Sequence, residues 1–160
     1  MEFLNPLAML VAATSALIIG FIWYNPKVFG ITWMREAGMT EEKVKGGNMA
    51  KIFIMAFIFA FLLSMALPGI VIHQMGAFSL VQGEIGILPS YETFISDYAN
   101  EFRTFKHGAL HGTLVGIFIA LPIIGTNALF ERKSAKYIFV NSGYWIVTLA
   151  IMGGIICAWK

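Results

Sequence analysis

The sequence is poor in cysteine, in charge, and in ionisable groups wherever it is most apolar. A single Cys157 excludes an intrachain disulfide. Charged residues make up 12% of the 160 positions, against about 25% in ordinary globular domains, so a soluble domain with a solvated charged surface is excluded. The windows 3–23, 52–72, 109–130 and 137–159 contain no Asp, Glu, Lys or Arg at all. Proton relays and ion-coupled carriers usually need such groups inside a bundle, and here they have none. The net charge of +2, without basic and aromatic residues interleaved in a soluble stretch, argues against nucleic acid as a partner. No serine, nor the lone cysteine, stands beside a histidine and an acid, and no phosphate-binding glycine loop follows a strand. The expectation is therefore not an enzyme.

What is abundant is apolar surface: 58% of residues are hydrophobic, with 14 Phe and 16 Gly. Each window meets the ~20 residues needed to cross a hydrocarbon core ~30 Å thick. Lipid offers unpaired backbone groups no partner, so each window must be a helix. The period-2 alternation of a membrane barrel is absent. The only charge before the first window is acidic Glu2, unlike a cleaved signal peptide, so that window counts as a span. The expected fold is all-α: one domain over 1–160, a four-helix integral membrane bundle of two helical hairpins, with an outer loop over 73–106.

Sidedness follows from Lys and Arg in the connections. The first holds Lys27, Arg35, Lys43, Lys45 and Lys51, the second only Arg103 and Lys106, and the third Arg132, Lys133 and Lys136. Loops one and three are expected in the cytoplasm, with both termini and loop two outside. In loop two, Tyr91, Phe94, Ile95, Tyr98, Phe102 and Phe105 follow helical spacing, with Ser90 placed to cap. An amphipathic helix is expected there, preceded by an apolar, glycine-rich run over 76–88 that folds back over the bundle. The first loop mixes Tyr24, Phe29, Trp33 and Met34 with Lys27 and Arg35, a composition suited to the headgroup layer.

Small residues form two ladders of period four: Ala8, Ala12, Ala16 and Gly20 in the first span, and Gly108, Gly112, Gly116 and Ala120 in the third. Close backbone approach across such ladders is a main attraction between helices in lipid. They serve either packing within one protomer or a homo-oligomer. Three asparagines, Asn25, Asn127 and Asn141, fall near the inner face and are expected to hydrogen-bond between helices as structural glue or around a small polar ligand.

The three histidines of the chain fall at one level. His107 and His111 are spaced one helical turn apart at the start of the third span, and His73 ends the second on the same side. They can complete a three-imidazole set for zinc or copper with one position open, or a haem ligand, with loop-two carboxylates as outer partners. They can equally hydrogen-bond within the outer cap. No other cofactor is expected.

The stretch GFIWYNPKVFGITWM after the first span and TNALFERKSAKYIFVNSGYWIVTLAIMGGIICAW at the end resemble the bacterial membrane family called domain of unknown function 1761. The turn from Trp23 to Trp33 is the most specific part, supported by Asn141 to Tyr144 and the Met152-Gly153 pair. The resemblance implies four spans over nearly the whole chain and carries no catalytic residue with it. The reading is a structural or accessory protein of the bacterial inner membrane, packing with itself or with a larger complex. A small-molecule or ion pathway and metal or haem binding at the outer face are the alternatives.

Overall fold

The computed structural model describes residues 3–81 and 88–160. Among them there is no strand, and four helical stretches are long and apolar enough to cross a membrane: Pro6–Trp23, Met49–Val71, Phe105–Phe130 and Ala135–Ala158. Three start earlier than the apolar windows, because each helix begins at a polar cap. Asn5, Asn48, Thr104 and Ser134 each accept a backbone N–H of the first turn, satisfying a donor the helix leaves open. At about 1 kcal/mol each, these caps fix where the spans start.

The first span is α1 (Pro6–Trp23). A wide π-helical turn, Pro26–Gly30, then leads into α2 (Ile31–Ala37) and α3 (Glu41–Lys45). The second span is α4 (Met49–Ala66) continued by α5 (Pro68–Val71), followed by α6 (Gln74–Leu80) and α7 (Pro89–Tyr98). The third is α8 (Phe105–Val115), a π-helical turn Gly116–Ala120, and α9 (Leu121–Phe130); the fourth is α10 (Ala135–Ala158). Pro122 lacks an N–H and its ring crowds the carbonyl four residues back, so the third span widens just before it instead of breaking.

The two hairpins are present. α1 packs on α4, the third span packs on α10 along its length, and α1 joins the pairs by lying on α10. The second and third spans meet chiefly at one end, where α5 packs on α8. The core between them is aliphatic: Ala12, Ala13, Ala16, Ala60, Leu67, Val71, Leu149, Met152 and Ile156 are buried together. Both small-residue ladders are used inside the protomer. A Cβ on Gly108 would run into the backbone of Gly153, one on Gly112 into Leu149, and one on Gly116 into Ile146, while Ala16 and Gly20 meet Tyr144 on another face of α10.

At the loop end, two separated stretches interlock. Trp23 Nε1 donates to the Val140 carbonyl at 3.0 Å, and its ring fills the space left by Gly143, where a Cβ would lie 2.9 Å from it. Tyr24 donates to Asn141 Oδ1 at 3.2 Å and stacks near Trp33 and Tyr144. Burial, then the neighbouring Tyr144, pushes the Tyr24 phenol well above its ordinary pKa, so it acts as a neutral donor. Ser134 donates to Glu36 at 2.6 Å and Lys133 to the Ala37 carbonyl at 3.1 Å, clasping the two connections together.

The expected bonding among asparagines does not form. Asn25 caps its own turn by accepting from Lys27 N, Asn141 serves Tyr24 and the Tyr137 carbonyl, and Asn127 lies exposed on α9. A local backbone donor was nearer to Asn25 than any other helix. The amphipathic helix in the second connection is shorter than its spacing suggests. It ends at Tyr98, and Pro89 at its first turn, not Ser90, sets its start. The run over 76–88 lies partly outside the described residues; its start belongs to α6.

Candidate metal centre

The histidines reach one place for a backbone reason. Gly108, Gly112 and Gly116 occupy the α8 face pressed against α10. Positions 107 and 111 lie one residue earlier, about 100° around the helix, and so project beside that contact instead of into it. Thr104 caps α8 through the N–H of His107, which fixes the first turn, and His111 follows one turn later. His73 sits between α5 and α6, where the second span ends against α8.

The three rings converge. His73 Nε2 and His107 Nε2 are 2.8 Å apart, and the ring centroids are separated by 4.8 Å for His73 and His107, 5.1 Å for His73 and His111, and 4.5 Å for His107 and His111. One nitrogen from each ring falls within 4.8 Å of the others. At 2.8 Å the His73 and His107 nitrogens share one proton; one ring donates and the other accepts. An ion bound by both takes that proton's place. Tetrahedral bonds of about 2.0–2.1 Å need nitrogens about 3.3 Å apart, a spacing that lies between the 2.8 Å of the His73–His107 pair and the 4.8 Å within which all three fall.

Phe102 stands over the group, 5.8 Å from His73 at 85° and 5.1 Å from His107 at 32°. Its φ of 59° lies in the left-handed region, which costs a non-glycine residue roughly 1–3 kcal/mol. The neighbours show what holds it. Arg103 turns the opposite way into the protein, where Nε donates to the Cys157 carbonyl at 2.8 Å and a terminal nitrogen to the Trp159 carbonyl, beneath the ring of Phe3. This buried guanidinium, which has no carboxylate partner among the described residues, thus serves as the cation at the C-terminus of α10, favoured by the helix dipole. Burial lowers its pKa, but arginine remains protonated. Cys157 adds two weak donations, to the Val71 carbonyl at 3.2 Å and the Phe102 carbonyl at 3.4 Å. Gln74, next to His73, donates to the carbonyls of Tyr98 and Glu101 at 2.5 and 3.0 Å.

All three histidines expected to cluster are therefore brought together, and among the described residues the donor group is His73, His107 and His111, without Glu92, Asp97 or Glu101; Glu84 lies outside the described residues. The supports Gln74, the Phe102-Arg103 pair and Cys157 had no signal as a set, since they come from three separated parts of the sequence. The asparagines belong to the other end. The shallow groove that reaches Asn127 is lined by Pro122, Ile123 and Thr126, opens on the surface of α9, and does not include Asn141. It forms no passage between the two.

Compared with protein families, the chain matches the model described as protein of unknown function DUF1761 over residues 7–157. No curated protein and no solved structure matches it.

Proposed function

The chain belongs to the DUF1761 family, and because membership brings no activity with it, we propose a function from the site itself: a non-catalytic, multi-pass membrane protein that holds one first-row transition ion, zinc or copper, on three imidazoles. The observation that carries this is the convergence of His73, His107 and His111 from two separate spans. Imidazole nitrogens suit zinc and copper, and three of them leave a position open for water or a further ligand. A bare ion fits better than haem, because ring centroids 4.5 to 5.1 Å apart leave no slot for a macrocycle between them. Among the described residues the cluster contains no acid to act as a general base, which favours holding an ion over catalysis.

The distribution of Lys and Arg supports an orientation with the triad and both termini on the outer side, in this reading of a bacterial inner membrane. The aliphatic core, and an Asn127 groove that opens on the surface of α9 without reaching Asn141, favour an accessory role over a pathway. The lipid bilayer is the surrounding partner; a larger membrane complex is the further one in this reading. Purification in mild detergent, followed by metal analysis of the wild type and of His111→Ala, tests the function. About one ion per chain, lost in the variant, supports it; no tightly held ion after loading with Zn2+ or Cu+ contradicts it.

A further inference from the structure

The three donors come from both hairpins, and this says more than that an ion binds. His73 ends the hairpin of α1 and α4, whereas His107 and His111 begin the hairpin of α8 to α10. Between the second and third spans, substantial contact is confined to this end, α5 against α8. Towards the loop end both helices turn large apolar side chains outward, with Phe53, Phe59, Phe118 and Ile123 each at least half exposed. The glycine interlock that holds α8 to α10 lies within one hairpin and cannot tie the second span to the third.

We infer that the bound ion is a staple between the two hairpins and that its occupancy sets the docking of the segment from Leu88 to Thr104. This rests on the metal reading above and goes beyond it to a regulated element. Two links carry the effect outward from His73. Gln74 holds the carbonyls of Tyr98 and Glu101, the end of α7 and the turn after it. Phe102, strained at φ 59°, packs on His73 and His107 together, so its position depends on how those two rings stand. Without an ion, the direct tie between the hairpins' histidines is one shared proton between two imidazoles. An ion bonded to all three rings replaces it with coordination that does not fray locally. A ligand that binds only the closed arrangement stabilises that arrangement in proportion to its own affinity. α7 presents Glu92, Asp97 and exposed Tyr98 on this segment, so the ion governs how an acidic and aromatic face is displayed.

Hydrogen exchange followed by mass spectrometry on the full chain in lipid nanodiscs, with Zn2+ or with a chelator, tests the staple, and the same samples are titrated for Zn2+ binding. The expected result is exchange slowed about tenfold or more over Gln74–Leu80 and Pro89–Thr104 when Zn2+ is bound, with α1 and the loop-end half of α4 unchanged. Gln74→Leu keeps all three donors; it is expected to bind Zn2+ but to lose most of the protection over α7. His73→Ala leaves His107 and His111 on one helix and is expected to lose the protection and most of the affinity. Zn2+ bound by the wild type with unchanged exchange in both segments overturns the staple and leaves the metal site standing. No Zn2+ binding overturns both.

Discussion

Individual residues in this protein are constrained most where backbones touch. Gly112→Ala places a Cβ against the Leu149 carbonyl carbon, a main-chain neighbour that cannot rotate aside, whereas nothing lies within 4 Å of the Cβ that Gly69→Ala adds. The first substitution is expected to cost about 3 kcal/mol or more, at the upper end of overpacking effects, and the second close to nothing. Unfolding in detergent followed by circular dichroism compares them directly. Arg103→Lys is a second test at this scale. A point charge cannot hold the Cys157 and Trp159 carbonyls with the fork a guanidinium provides, so a loss of about 2 kcal/mol is expected, together with weaker ion binding through Phe102. The histidines themselves were legible in the sequence, since the one-turn spacing and the shared level are counted along the chain. Phe102 and Arg103 were not. Nothing in the order of residues says that one turns left-handed over the imidazoles while the next caps a helix that ends some fifty positions later.

Helices and their connections carry the next level of the account. Four spans were readable because lipid leaves the backbone no alternative to a helix, and their starts differ from the apolar windows because capping chemistry, not hydropathy, ends a helix. The short α7 shows the same limit: its apolar spacing continues to Phe105, but Arg103 is drawn into the protein and the helix stops at Tyr98. The family motif around Trp23 to Trp33 looked like a surface loop for the headgroup layer; in the fold it docks on Val140 to Tyr144, the other stretch that carried the resemblance. Tyr24→Phe is expected to cost about 0.6–2 kcal/mol, and a double-mutant cycle with Asn141→Ala should return most of that as coupling. The clasp at Glu36 makes a pH prediction. The hydrogen bond from Ser134, and then Arg35, holds this carboxylate below its ordinary pKa of 4.5. Its contribution is complete above that value and disappears as pH falls through the lower folded one. Ser134→Ala should therefore narrow its stability gap to the wild type as the pH is taken down through the acid range, read by thermal unfolding at each pH.

For the whole molecule, the arrangement is two hairpins joined by α1 lying on α10, tightly locked by glycines within the second hairpin, with three imidazoles meeting where the second and third spans touch. The ladders suggested either internal packing or an oligomer; Gly108, Gly112, Gly116, Ala16 and Gly20 are taken up by contacts with α10 inside the protomer. The most direct measurement of the central claim is X-ray absorption at the zinc edge on the Zn2+-loaded chain in nanodiscs, compared with His73→Ala. Three imidazole nitrogens at about 2.0–2.1 Å in the wild type, with one fewer in the variant, is the predicted result. A shell without imidazole scattering, or an identical shell when His73 is removed, would contradict a site shared between the hairpins.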